Sequence, residues 1–360
     1  MTVSEILKTQ LTIYGMLESP KKILVIRFSS IGDIVLTSAV VRCIRQQLPG
    51  AEVHFLTKKQ FGPVVRANPN IDTLWLYDHN FGEMIPQLKS QGFDFIVDLH
   101  KNYRSAIVKS RLGIRSASFP KLNVKKWLTV KLKLNLLPDI HIVDRYFKAV
   151  APLGVKYDGR GLDYYIPAAD EVETGTLPVT HHRGFIAIVI GGKHNTKIFP
   201  AEKVIEVCQK LAKPVILLGG KEDRDRGEQI GNAVGIQVYN GCGLYNINQS
   251  ASLIRQSVAV LSNDTGLMHV AAAFKKPVVS VWGNTIPAFG MTPFLPEENK
   301  SNSLIAEVKG LSCRPCSKLG HKTCPKKHFR CMNEIAIPEI IAFLNGKPEN
   351  SKSLNAKHET

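Results

Sequence analysis

Two apolar runs, Val258-Ala259-Val260-Leu261 and Pro277-Val278-Val279-Ser280-Val281-Trp282-Gly283, bracket the segment Ser262-Asn263-Asp264-Thr265-Gly266-Leu267-Met268-His269. An apolar run that halts at Asn-Asp-Thr-Gly and resumes as Leu-x-x-Val-Ala-Ala-Ala is a strand, a tight loop and the start of a helix. Strand-loop-helix units of this kind build parallel sheets, whose ligands bind at the carboxyl edge. The free amides of the helix start favour a diphosphate there, and the Asp264 carboxylate suits sugar hydroxyls. The same residues also read as an ordinary Asp/Thr helix cap.

The pattern recurs along the chain. Ile23–Phe28, Val53–Leu56, Thr73–Tyr77 and Phe93–Leu99 read as strands in the first half, with a helix from about Ile34 to Gln47. Phe185–Ile190, Pro214–Gly220, Val258–Leu261 and Val278–Val281 repeat the theme in the second. Strands alternating with helices predict an α/β fold with doubly wound parallel sheets. At 360 residues two domains are expected. The predicted division is an extension over residues 1–20, one domain over 21–175, a second over 184–346, and a disordered tail over 347–360. The stretch Ile166–Arg183, which contains Pro and Gly, is the linker candidate. Ile6, Leu7, Leu11, Tyr14 and Leu17 have helical spacing, and Met16 is a candidate alternative start.

The net charge of +17 calls for a polyanionic partner: nucleic acid, an anionic membrane or a phosphorylated substrate. No apolar run approaches a membrane span, and the first twenty residues lack a secretory pattern. The expected compartment is the cytoplasm, where seven cysteines are reduced thiols or metal ligands. Cys313-x-x-Cys316, Cys324 and Cys331, with His321 and His328 between, have spacings that tetrahedral zinc or plain structural thiols both satisfy. Cys43, Cys208 and Cys242 read as core or loop cysteines.

Three further motifs follow strands. Ser29-Ser30-Ile31-Gly32-Asp33 stands where a Gly-x-Gly-x-x-Gly fingerprint would be, which argues against a nicotinamide or flavin enzyme. Asp33 falls in a first helical turn, where the dipole keeps it ionised; it reads either as a helix cap or as a base for an attacking hydroxyl. Gly191-Gly192-Lys193-His194-Asn195-Thr196-Lys197 offers close backbone approach and point charge to phosphate, without the spacing of a Walker loop. It also reads as a solvated basic loop. Asp98-Leu99-His100-Lys101-Asn102-Tyr103-Arg104 brings cations to a strand end, as a surface cluster or as an acceptor site. Lys121–Lys133 holds five lysines interleaved with Trp127, Leu128 and Leu132, and reads as a solvated basic face or a lipid-contact element.

The order and spacing of these motifs, with Lys276-Pro277-Val278 and Gly283-x-Thr285-x-Pro287, resemble glycosyltransferase family 9, the ADP-heptose:lipopolysaccharide heptosyltransferases. The resemblance covers about Lys21 to Gly346, including the cysteine-rich segment 313–331. It implies GT-B architecture: two Rossmann-like domains facing across a cleft, the first for acceptor and the second for ADP-heptose. It implies Asp33 as catalytic base. Donor contacts fall to Lys193, Thr196, Lys197, Asp264, Thr265, Gly266, Leu267 and His269. Acceptor contacts fall to Ser30, Gly32, His100, Lys101, Asn102 and Arg104. Several members carry Thr-Asp-Pro where this chain has Thr285-Ile286-Pro287.

The implied reaction is inverting and metal-independent, and no Asp-x-Asp metal motif is assigned to either half. No cofactor is expected. The implied partners are ADP-heptose, a phosphorylated lipid A–core acceptor and the anionic inner face of the cytoplasmic membrane, and not nucleic acid. A family 9 enzyme for another sugar, a GT-B sugar-nucleotide epimerase and a zinc-containing nucleic-acid-binding protein are the competing readings. The last lacks any helix-turn-helix or RNP-like pattern.

Overall fold

A computed structural model describes residues 20–346. The extension's predicted helix, Met16 and the tail after Gly346 lie outside the described residues. The first lobe has strands β1 (Lys22–Ile26), β2 (Glu52–Lys58), β3 (Thr73–Tyr77), β4 (Phe95–Asp98) and β5 (Ser116–Ser118). Its helices are α1 (Ile31–Val35), α2 (Ser38–Gln47), α3 (Phe81–Ser90), α4 (Tyr103–Leu112), α5 (Asn123–Lys131) and α6 (Ile142–Phe147). The second lobe has β6 (Ile186–Val189), β7 (Val215–Leu218), β8 (Val238–Asn240), β9 (Ala259–Asn263), β10 (Val278–Trp282) and β11 (Ser303–Glu307). Its helices are α7 (Ala201–Cys208), α8 (Arg224–Val234), α9 (Ile247–Gln256), α10 (Gly266–Ala273), α11 (Arg330–Asn333) and α12 (Ile337–Leu344).

Every strand pair is parallel, in orders β3-β2-β1-β4-β5 and β8-β7-β6-β9-β10-β11. Each order reverses once, between β1 and β4 in the first sheet and between β6 and β9 in the second. Both faces are covered, so the central strands β1, β4, β6 and β9 are apolar along most of their length and turn polar only toward the ends that carry Lys22, Asp98, Ser262 and Asn263. Ile23 and Val25 enter one core cluster and Leu24 and Ile26 another, as a period of two demands. In β6, Ala187 and Val189 join the same cluster as Ile23, while Ile186 and Ile188 face the opposite side. One core is therefore shared by both lobes. Cys43, Cys208 and Cys242 are buried within the lobes.

Two departures from the sequence reading have local causes. The single helix expected from Ile34 is two helices: α1 starts earlier, after Ser30, and ends where the Thr37 hydroxyl donates back to the Ile34 carbonyl (2.6 Å). The strands β5, β8 and β11 were not anticipated. They are sheet edges, where one-sided burial needs no continuous apolar run.

The connection between lobes is clamped rather than loose. Arg42 on α2 holds Asp158 and Asp163, and further along Tyr164, Asp170, Glu171 and Val172 bond to α9. Across the cleft, first-lobe donors reach second-lobe main-chain carbonyls. His141 Nε2 meets the Thr292 oxygen at 2.9 Å, the Ile142 N–H meets Gly290 at 2.8 Å, and Lys133 Nζ meets Pro315 at 2.7 Å and Cys313 at 3.2 Å.

Candidate active site

Both strand-order reversals open crevices at carboxyl ends, and the four motifs flank them. β1 leads to Ser29–Asp33 and β4 to Leu99–Arg104; β6 leads to Gly191–Lys197 and β9 to Asp264–His269. The topology thus delivers the sequence-predicted residues to two facing crevices.

In the first crevice Asp33 stands at the third position of α1 and reaches back to Ser30, accepting its N–H (3.2 Å) and hydroxyl (2.8 Å) on Oδ2. Its Oδ1 lies 2.5 Å from the Arg27 guanidinium. The helix-cap reading and a charged site are thus one arrangement. Burial works to raise the Asp33 carboxyl, but Arg27 and the Ser30 bonds outweigh it and hold the group below the ordinary carboxylate range. Arg27 is itself buried, donating to the Ser29 carbonyl (2.8 Å) and to that of Leu99. It joins the ends of β1 and β4 under the carboxylate.

The β4 loop hangs on Asp98, which is buried and accepts from the N–H groups of His100 (3.0 Å) and Lys101 (2.7 Å), the Ser105 hydroxyl and Lys109. Asn102 caps α4 by accepting the Ser105 N–H (3.1 Å). Arg104 lies over the Tyr103 ring at 4.5 Å, and Lys101 is exposed. His100 is buried, and its ring is pushed down to about 3 by desolvation, then by Arg27 and Lys121.

Further cations gather nearby. Lys121 Nζ donates to the His100 and Lys101 carbonyls (3.1 and 3.3 Å). Lys126 sits 5.3 Å from the centre of the Phe289 ring of the second lobe, and burial with Arg145 brings its ammonium down to about 8. Arg145 is buried and donates to the Phe289 carbonyl (3.2 Å), while its Nε and Nη1 have no partner among the described residues. Neither cation forms an ion pair among the described residues, and cations withdrawn from water in this way attract an anion.

In the second crevice Lys197 Nζ lies 2.5 Å from Asp264 Oδ2, which also accepts the Thr285 hydroxyl (2.8 Å). Asn263 staples the loop to β9: its amide donates to the Gly191 carbonyl and its oxygen accepts the Phe199 N–H, both at 3.0 Å. Lys193 is exposed. Thr196 is buried and exchanges hydrogen bonds with the His321 backbone. Thr265 occupies the N-cap position of α10 without a side-chain capping bond, and the first amides of that helix lack intrahelical partners.

The crevices meet at two glycines. A Cβ on Gly32 would stand 2.6 Å from His269 Cδ2, and one on Gly266 would stand 2.6 Å from Ile31 Cγ2. Leu267 is half-buried beside them. His269 is buried against α1, its Nδ1 without a partner among the described residues, and desolvation lowers its ring to about 4. The imidazole is therefore neutral at neutral pH.

Arg27, Lys126, Arg145 and Thr285 escaped the sequence reading as site residues. Arg27 had a signal, being the one charge inside the apolar run Ile23–Phe28. The cysteine-rich segment braces the loop after β10: Arg314 donates to the carbonyls of Gly283 (2.6 Å), Trp282 (3.1 Å) and Thr285 (2.9 Å). Among the described residues no three His, Cys, Asp or Glu side chains gather as a metal-binding group. The chain does contain one Asp-x-Asp spacing, Asp223-Arg224-Asp225, which corrects the sequence reading. Asp223 is buried behind Gly191, accepting the Gly220 N–H (3.0 Å) and pairing with Arg226, while Asp225 is exposed.

Comparison with known proteins gives a consistent result. The profile of glycosyltransferase family 9 (heptosyltransferase) matches residues 82–336. A lipooligosaccharide heptosyltransferase 2 of Haemophilus ducreyi is 26% identical over 296 residues, 74% of this chain and 85% of the relative. The solved ADP-heptose lipopolysaccharide heptosyltransferase II of Escherichia coli superposes with a TM-score of 0.68 at 21% identity, over 90% of this chain and 97% of that one. The E. coli heptosyltransferase WaaC solved with ADP superposes at 0.62 and 18% identity, over 90% and 98%. The fold is thus the GT-B architecture expected from the sequence.

Proposed function

The chain belongs to glycosyltransferase family 9, the heptosyltransferases, and on that premise we propose that it moves heptose from ADP-heptose to a phosphorylated lipid A–core acceptor, with inversion and with Asp33 as general base. The observation that carries this reading is the ionised Asp33 carboxylate at the first crevice, opposite the start of α10 and the Lys197 loop. The E. coli heptosyltransferase II is named for ADP-heptose and WaaC is solved with ADP, which supports the donor. Lys126 and Arg145, neither of which forms an ion pair among the described residues, support an acidic acceptor.

The chemistry follows from the groups in place. The acceptor hydroxyl oxygen attacks the anomeric carbon, and its proton passes to Asp33. The bond to the ADP oxygen breaks on the opposite face, and its electron pair leaves with the diphosphate. A carboxylate has about four lone-pair sites, so the contacts to Arg27 and Ser30 leave room for the hydroxyl. Lys197 has two N–H donors beyond the one on Asp264, and with Lys193 and the α10 amides it offsets the leaving charge. Protein cations then serve where other transferases use a divalent ion, and turnover in excess EDTA should equal that in its absence. Neutral His269 shields the crevice without adding charge.

The test is a donor screen of ADP-heptose, other ADP-sugars and UDP-sugars against a heptose-deficient core lipid, with product analysis. Ile286, where several members carry Asp, makes another sugar the result to watch for. Asp33→Asn keeps the shape and removes the base. It should lower kcat by about 10²–10⁴-fold with ADP affinity nearly unchanged. Equal loss of ADP binding would make Asp33 structural.

A further inference from the structure

We propose that the outer face of α5 and the loop 132–136 form a membrane-docking surface that inserts side chains into an anionic lipid leaflet. Val124, Trp127, Leu132, Leu134 and Leu136 are between 50% and 73% exposed, an unusual concentration for one short segment. Val124 and Trp127 lie one turn apart on α5, and exposed Lys131 continues their stripe. In the loop Lys133 donates to the Cys313 and Pro315 carbonyls of the second lobe, while Leu132, Leu134 and Leu136 stay exposed. The Thr129 hydroxyl lies within hydrogen-bond reach of the Lys125 (2.9 Å) and Leu134 (3.2 Å) carbonyls and shares its one proton between helix and loop.

Charge selects the occupant. Residues 99–138 contain ten Lys and Arg and no Asp or Glu. A basic surface alone would suit any polyanion, and an apolar surface alone any protein groove. Protruding leucines and a tryptophan ringed by lysines match a hydrocarbon interface under anionic headgroups. Lysine stems lie along the apolar boundary while their ammonium groups stay wet. The opposite side of the same helix carries Lys126 to Phe289, and Lys121 ties its start to the His100–Lys101 loop. Docking through the outer face therefore holds the acceptor crevice beside the leaflet. The proposal does not depend on which sugar is transferred.

The experiment is co-sedimentation of the full chain with vesicles of phosphatidylcholine alone or with added phosphatidylglycerol, across salt, without substrate. Binding should need the anionic lipid and weaken with salt, as exposed charges do. Trp282 is buried and Trp75 is bonded to His54, so Trp127 is the exposed tryptophan among the described residues. Its fluorescence should be quenched by brominated acyl chains, and Trp127→Phe should remove that quenching. The triple variant Trp127→Ser, Leu134→Ser, Leu136→Ser alters only exposed positions. It should bind at least tenfold more weakly, with turnover on a delipidated acceptor unchanged. Equal binding by the triple variant, absence of quenching, or binding that tracks RNA rather than vesicles would each overturn the proposal.

Discussion

At the scale of single residues, Asp33 and Arg27 form one unit with unequal legibility. Asp33 was readable because a carboxylate in a first helical turn after a strand has few uses. Arg27 was not assigned, because its partners lie at Asp33 and at Leu99, which only the sheet brings together. Their coupling makes a signed prediction. With Arg27 removed, the largest influence that lowers the Asp33 carboxyl is gone and burial is opposed mainly by the Ser30 bonds, so its pKa rises. The acid limb of the kcat/KM–pH profile should therefore move to higher pH in Arg27→Gln and stay near wild type in Arg27→Lys. An unmoved limb in Arg27→Gln would separate the two groups. At Lys197, removal of the ammonium should weaken ADP binding, read by calorimetry; an unchanged dissociation constant would reject its role at the diphosphate. Thr196 was also predicted as a donor contact, and its hydroxyl is engaged with His321, a partner too distant in sequence to foresee.

At the scale of elements, the central strands and the strand-loop-helix corners were legible, because burial on both faces writes them as unbroken apolar runs. Edge strands and the break between α1 and α2 were not, because each depends on a neighbour or a single hydroxyl. The α1–α10 approach is the most demanding packing in the site. Gly266→Ala brings a methyl to within 2.6 Å of Ile31 and 3.2 Å of the Gly32 nitrogen, and backbone cannot yield as a side chain can. A stability loss of about 1–3 kcal/mol is expected, together with a loss of turnover larger than the loss of ADP affinity, since the lobes must part slightly. The α2 clamp is stronger. Arg42 is buried among Asp158, Asp163 and the Gly161 carbonyl, so Arg42→Ala leaves carboxylates short of a partner and should cost about 3–5 kcal/mol in denaturant unfolding.

At the scale of the whole molecule, acid should loosen the cleft. His100 and His269 are buried and His141 is half-buried, and desolvation lowers their rings to about 3, 4 and 3. Unfolded, each titrates near 6.5, so below that pH the unfolded chain binds more protons and stability falls as pH drops. Each histidine contributes up to about 1.4 kcal/mol per pH unit over that window. Asp33, depressed in the fold, adds to the same trend once pH reaches the carboxylate range, where its stabilising charge is lost. Urea midpoints between pH 7 and pH 4 should fall steadily; a flat profile would mean these rings are accessible. The two-lobed plan was legible from chain length and two runs of strand-helix alternation, whereas the ties between lobes were not, because their acceptors are carbonyls that no side-chain pattern announces. Those ties have an evolutionary corollary. The second-lobe partners at Thr292 and Cys313 contribute only peptide oxygens, which every amino acid possesses. Substitution of those side chains can therefore reshape the cleft wall while the latch between the halves stays fastened.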